Sequence, residues 1–291
     1  MEQIVLFAVV RSALYALVAL GFTLIFGVAR VLNLSHGALL MAGAYGAYIG
    51  INLFHLNLYL SFALAVLATA LLAIAIYKAL VRRVSDSPVL VLIVTLAVAF
   101  ILQEAIVLAF GYRTQIIPPP IEGTVVIAGT IIDKVQLLAL AVSLVALGLF
   151  WLFIHRTRFG RAILATAQDP KGAALVGINP DRVYTLTWAL SGALAGLAGL
   201  FFAYPGGIVF NMWVNPLVIS FAIVILGGLG SIPGTLIAAY LIGFVETLTF
   251  YGGQLNLPLG PSWVGLPSLF ILILLLIFRP QGLFGGEQAS S

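Results

Sequence analysis

Apolar residues run along this chain in long blocks, interrupted by short polar segments and by segments containing glycine or proline. A helix needs about 20 mostly apolar residues to cross the hydrocarbon core of a bilayer. Blocks of that kind cover residues 4–29, 34–52, 58–80, 89–111 and 136–154; after a polar loop come 183–203, 217–230, 235–251 and 264–278. Residues 217–230 are few for a full crossing, and residues 34–52 are rich in small side chains. Each is a candidate for a broken or re-entrant helix. The pattern therefore predicts an all-α polytopic membrane protein of eight to nine transmembrane helices, one or two of them broken. The first block lacks a basic n-region and a small-residue cleavage site, so it predicts a retained helix and not a signal peptide.

Composition decides the solvent. Of 291 residues, 63% are hydrophobic and 8% charged, against about 25% charged in soluble domains. Water cannot solvate a surface so poor in charge, so lipid must. The net charge of +4 would suggest nucleic acid in a soluble protein. Here the basic residues cluster between apolar blocks, which is how membrane helices are oriented. Nine crossings with the N-terminus outside put Arg30, Lys78, Arg82, Arg83, Arg156, Arg158, Arg161, Lys171, Arg182 and Arg279 in the cytoplasm, against Arg11, Arg113 and Lys134 outside. That asymmetry predicts an external N-terminus and a cytoplasmic C-terminus. The absence of cysteine excludes a disulfide framework and a cysteine-based zinc site.

Two loops stand out. The outer one, residues 112–134, holds Pro118, Pro119 and Pro120, which favour a stiff extended stretch. Its second half, GTVVIAGTIID, alternates weakly and predicts a small hairpin at the membrane surface. The inner loop, residues 155–182, carries FGRAILATAQDPKGAALVGINPDRV. Residues 162–168 favour a short helix. Asp169 is placed to cap a second one that Pro170 starts, Gly177 to end it, and Asn179-Pro180 to turn into the next span. A short helix across the membrane face would offer a docking knob to a cytoplasmic partner; the alternative is an ordinary loop with snorkelling arginines.

Polar residues inside the apolar blocks are the remaining candidates. Glu104 and Glu246 sit beside Gln103 and Thr247. A carboxylate at mid-bilayer costs about 2.5 kcal/mol or more on insertion scales, so such residues face a bundle interior or a cavity. They are candidates to line a path or bind an ammonium, or simply to pack helices. Asn33, Ser35, His36 and Gly37 fall at a possible helix break; Asn33 or Ser35 suits a helix cap, and His36 a gate. Gly227, Gly228, Gly230, Ser231, Pro233 and Gly234 argue for irregular backbone lining or flanking a route. Gly46 with Gly50, and Gly192 with Gly196, have the small-xxx-small spacing of close helix contacts, within the chain or toward a second subunit. LSHGALLMAGAY and GSIPGTLIAAYL hint at internal repetition, with coincidence as the alternative. No set of residues suggests catalysis or a metal site.

Three motifs, in order, carry a resemblance: VLNLSHGALLMAGAYGAY, GRAILATAQDPKGAALVGINPDRVYTLTWALSGALAGLAG and ILGGLGSIPGTLIAA. With the helix spacing they make nearly the whole chain similar to Liv-type branched-chain amino acid permeases, closest to the LivH-like branch. The resemblance implies one transmembrane permease domain over residues 1–291, with the Liv and ribose-permease type of ABC importer fold, in a bacterial inner membrane. It implies that residues 155–182 form a coupling loop seated in an ATPase subunit, with Arg161, Ala162, Ala165, Gln168, Asp169, Ala173, Ala174 and Gly177 as contacts. Lys171-Gly172-Ala173-Ala174 stands where other importers have Glu-Ala-Ala. No Walker motif occurs in the chain. ATP and magnesium would therefore be used by two partner ATPases, alongside a second permease and a periplasmic binding protein. The alternative is an ion-coupled secondary transporter using Glu104 and Glu246.

Overall fold

The computed structural model describes residues 2–127, 129–255, 257–279 and 281–284. Eleven α-helices are formed among them: α1 (Glu2–Ala29), α2 (Ser35–Asn52), α3 (Leu58–Ala79), α4 (Pro88–Phe110), α5 (Lys134–Arg156), α6 (Arg158–Gln168), α7 (Pro170–Leu175), α8 (Pro180–Phe202), α9 (Val214–Gly227), α10 (Ile232–Phe250) and α11 (Leu266–Phe278). Seven helical segments are long and apolar enough to cross a membrane; α2 and α9 are the remaining helices of the bundle. α2 has 18 residues but includes Ser35, His36 and glycines 37, 43, 46 and 50, while α9 has only 14 residues. These are the two helices expected to be broken.

Several boundaries follow from local chemistry. Ser231 accepts from the N–H of Gly234 at 3.2 Å and Pro233 follows, so α10 starts at Ile232, three residues ahead of the expected point. Gly228, at φ +99°, ends α9 at Gly227, and the helix accordingly occupies 214–227 instead of 217–230. The last carbonyls of α9 then need partners. The chain beyond α11 supplies them: Leu283 and Phe284 donate to the carbonyls of Leu226 and Gly227 at 2.8 and 3.1 Å.

Small residues set the packing at the centre. α8 lies against α1, α2 and α3. A methyl on Gly43 of α2 would lie 2.6 Å from both Cα and O of Gly196 in α8, and one on Gly192 would lie 2.6 Å from the Thr69 carbonyl of α3. Gly46 and Gly50 meet Ala65 and Ser61 of α3 in the same way. The small-xxx-small spacings are therefore used inside the chain. Close approach of this kind substitutes for the hydrophobic drive that lipid cannot supply between helices.

The bundle has two distinguishable ends. At one, strands β1 (Thr124–Ile127) and β2 (Thr130–Asp133) form the expected hairpin, with Thr124 opposite Asp133. The preceding strap is pinned where Gln115 pairs with Ile208, Tyr59 donates to the Pro120 carbonyl and Tyr204 to that of Pro118. At the other end lie α6, α7, and the Arg82–Asp181 ion pair at 3.2 Å, to which Tyr77 adds a hydrogen bond of 3.1 Å.

Glycine positions make a direct test of this packing. Gly43→Ala should destabilise the detergent-purified protein by about 1–3 kcal/mol, the usual result of overpacking. Gly148→Ala in α5, where nothing lies within 4 Å, should be neutral or stabilise by up to about 1 kcal/mol through helix propensity. Thermal unfolding of the two variants side by side checks both signs.

Candidate functional site

The first candidate region is a junction halfway through the bundle. Residues 30–34 leave the end of α1 and turn back alongside it, so that α2 starts near the middle of both α1 and α8. The marker is His36: its Nε2 lies 2.9 Å from the carbonyl of Val18 in α1, and its Nδ1 lies 3.1 Å from Ser191 Oγ in α8. A carbonyl only accepts, so Nε2 carries the proton and Nδ1 accepts from the Ser191 hydroxyl. Both ring nitrogens are thereby occupied and the side chain is fully buried. A methyl at Gly21 would come within 2.7 Å of the ring, which explains a glycine in the middle of α1. The geometry makes His36 a strut between three helices and leaves it no free nitrogen for a gate.

α9 starts at the same depth from the opposite side. Gly37, in the first turn of α2, packs on the Trp213 carbonyl and on Leu217. The first N–H groups of a helix have no partner of their own, and where Asn33, Ser35 and His36 are buried the protein must supply one. Around α2 the chain provides them: Leu34 donates to Thr95 Oγ1 of α4 at 3.1 Å, Ser35 to Asn33 Oδ1 at 3.1 Å, and His36 to the Asn33 carbonyl at 3.3 Å. Asn33 thus does the capping, and the Ser35 hydroxyl, 2.6 Å away, bonds back to it. Trp213 is held by Gln103 of α4, whose Oε1 accepts from Nε1 at 2.7 Å.

The other expected path residues are dispersed. Glu104 is exposed on α4, its Oε1 accepting from its neighbour Gln103 at 3.3 Å. Glu246 is 1% exposed on α10; Oε1 accepts from Ser268 of α11 at 2.6 Å, and Oε2 has no partner among the described residues. Gly228 and Gly230, at φ +99° and +86°, are pressed against Gly282 and Gly27 beside the N-cap Ser231. This irregular segment belongs to the α6–α7 end of the bundle. Irregular backbone enters the junction at residues 33–34 and at Trp213 instead, while close contact with the end of α1 holds 228–231 at the α6–α7 end. The two segments that hint at repetition start helices at different depths.

The second region is the α6–α7 face. Thr157 caps α6, Asp169 caps α7 and Asn179 caps α8, each through a side-chain oxygen accepting a backbone N–H at 2.9–3.2 Å. Gly177 closes α7 at φ +87°. A methyl on Gly160 would lie 2.3 Å from the carbonyls of Phe153 and Ile154, so the sharp corner from α5 into α6 requires glycine. α6 packs on α1, α5 and α8 through buried Gly160, Ile163 and Thr166. Ala162 and Ala165 are half-buried and Ala173 is buried, holding the two helices to the body. Arg161, Gln168, Asp169, Ala174 and Gly177 are exposed. Beyond them stand Leu175 and Val176, 89% and 78% exposed. The expected contacts omitted these two; two branched apolar residues in the most polar loop of the chain are the signal that points to them.

A bundle of spanning-length apolar helices with two shorter helices starting in its interior has the frame of a polytopic membrane transport protein. The chain belongs to the family described as branched-chain amino acid transport system / permease component, which it matches over residues 4–278. It is 30% identical to the high-affinity branched-chain amino acid transport permease BraD of Pseudomonas aeruginosa, over 94% of this chain and 92% of that protein. It is 29% identical to the corresponding LivH of Escherichia coli K12, over 96% and 94%. Among solved structures it resembles PsaBC from Streptococcus pneumoniae in complex with Fab, with a TM-score of 0.52 and 16% identity over 96% of this chain and 92% of that one. That likeness concerns the fold alone.

The assignment of His36 as a strut can be checked directly. His36→Leu leaves the buried Ser191 hydroxyl without its acceptor, at about 1–3 kcal/mol, and removes the tie to the Val18 carbonyl, which keeps its own helix bond. Unfolding of the purified variant should begin at a clearly lower temperature, while the order of substrate preference in uptake stays as in the wild type. An unchanged unfolding temperature would remove the strut role.

Proposed function

We propose that the chain is one permease subunit of an ATP-driven importer of branched-chain or related small amino acids. Two ATPase subunits would supply the energy from ATP and magnesium, a second homologous permease would complete the pore, and a periplasmic binding protein would deliver the substrate. The observation that carries this reading is the α6–α7 lever. It is rigid where it meets the body, through capped helices and the Gly160 corner, and apolar where it projects, at Leu175 and Val176. A knob of that kind fits a cleft in a partner, and its attachment to α1, α5 and α8 carries a push on the knob into the bundle. Residues 155–182 would thus be the coupling loop of a single permease domain. Arg161, Gln168 and Ala174 would stand beside the knob, and Asp169 would shape it as a cap.

The ten basic residues expected in the cytoplasm belong to this end of the bundle, and the hairpin to the other. The reading accordingly places the lever in the cytoplasm, the hairpin and N-terminus outside, and the protein in a bacterial inner membrane. Glu104 and Glu246 have unlike surroundings, one exposed on α4 and one buried against α11. Nothing in their placement favours an ion-coupled relay between them.

Leu175→Asp with Val176→Asp tests the lever. Both side chains are exposed, so the unfolding temperature should hold within the usual range of surface substitutions, about ±0.5 kcal/mol. Co-purification of the ATPases should fall sharply and ATP-dependent leucine uptake should stop. Wild-type recovery of ATPases with the double variant would sink the proposed docking surface.

A further inference from the structure

Arg11 is a charged residue in the first apolar helix, and the permease reading gives it no task. Its Nη1 is buried with no hydrogen-bond partner among the described residues, and its guanidinium lies over the Phe250 ring at 5.6 Å. It lines a cavity of about 490 Å³ between α1, α5, the end of α8 and α10, within the roughly 300–1,000 Å³ range of small-molecule sites. The same cavity is lined by Gln136, whose Oε1 is also buried and unpartnered. Phe7, Val10, Leu14 and Phe201 supply apolar wall. Glu246, next to Thr247 in sequence, does not line this cavity; its carboxylate accepts from Ser268 of α11 instead. Arg11 and Glu246 form no ion pair within 4 Å, since the ion pair found among the described residues is Arg82–Asp181. A buried donor and a buried acceptor are therefore left open around one apolar space.

Such groups are costly unless something pairs with them. The missing partner must accept from a guanidinium and donate to an amide oxygen, and it must carry an apolar body. We propose that this cavity is a binding subsite for an α-amino acid, with its carboxylate on Arg11, its ammonium on the Gln136 amide oxygen, and its side chain against the apolar wall. The proposal rests on the permease reading and names a substrate subsite within it. Access comes from the hairpin end. A second cavity of about 430 Å³ shares Val135, Gln136, Tyr204 and Pro205 with the first and carries Glu122 and Asp133 at the foot of the hairpin. Carboxylates there favour a ligand that presents a cation and disfavour a simple anion. Deeper in, Tyr15 and Phe202 separate the subsite from a third cavity of about 530 Å³ between α9 and α11, where Ser268 holds Glu246. The three spaces pass around the outer end of α8 toward the start of α9.

The test is equilibrium binding of radiolabelled leucine to the complete permease–ATPase complex in lipid nanodiscs, without binding protein. 4-Methylpentanoate and 3-methylbutylamine, which each keep one of the two charges, serve as competitors. Saturable leucine binding is expected, with each single-charge analogue displacing it at least tenfold less well than leucine itself. Arg11→Gln and Gln136→Leu should each weaken binding at least tenfold, and Arg113→Gln, in the outer loop, should not change it. Absence of saturable binding, equal competition by either analogue, or wild-type affinity in both variants would overturn the subsite. The competition measurement uses the wild-type complex, so it stands even if a variant does not assemble. ATP-dependent uptake of leucine delivered by the binding protein, measured on the same preparation, separates the two levels. Uptake present with the subsite results negative removes only the subsite, and uptake absent removes the permease reading with it.

Discussion

Two helices that begin in the middle of a bilayer must find partners for their first backbone N–H groups without water. The rest of the structure is arranged around that constraint. Asn33 and Thr95 take the N–H groups at the start of α2, and Gln103 anchors Trp213 at the start of α9. His36 ties the junction to the middles of α1 and α8. The two starts meet directly where Gly37 packs on Trp213 and Leu217, an approach that a side chain at position 37 would block. Irregular backbone at membrane depth persists only where protein or a cavity satisfies it. Here protein does so, through the Thr95 hydroxyl of α4 and the segment's own Asn33.

The same constraint links the two ends of the molecule. α9 runs from the junction to the lever end, where its last carbonyls are closed by Leu283 and Phe284 and the following turn presses on Gly27 of α1. α6 leans on α1 as well as on α5 and α8. α1 therefore touches the lever, the α9–α10 turn and His36, and it carries Arg11 near its other end. If α6–α7 is the proposed coupling loop, its movement against the body reaches each of these points, because a packed bundle shifts between discrete arrangements and does not deform continuously.

Part of the site was legible in the sequence and part was not. The caps Asp169 and Asn179, the Pro170 start and the Gly177 stop could be read directly, because capping depends on residues within one turn of each other. The partition of residues 161–177 into a buried face and a projecting knob could not. It depends on where α1, α5 and α8 stand, so Ala162, Ala165 and Ala173 were grouped with exposed Arg161 and Gln168, and Leu175 and Val176 were passed over. Arg11 was counted as an external loop charge although it lies within the first apolar block. Its position there was the clue, and only packing shows that Gln136, far along the chain, shares its cavity.

By itself the sequence determined the solvent, the apolar blocks, the two weak helices, the hairpin, the segregation of charge and the family. These follow from properties summed over local windows: hydropathy over twenty residues, capping over one turn, charge counted loop by loop. Tertiary structure decided at what depth the weak helices begin and that His36 braces them. It also decided that the glycine pairs close contacts inside the chain and that Glu246 and Arg11 keep open hydrogen-bonding atoms beside cavities. Each of those facts depends on which distant segment occupies the neighbouring space. In a bundle without water, that neighbour decides whether a polar group is satisfied, buried without a partner, or free to bind a ligand.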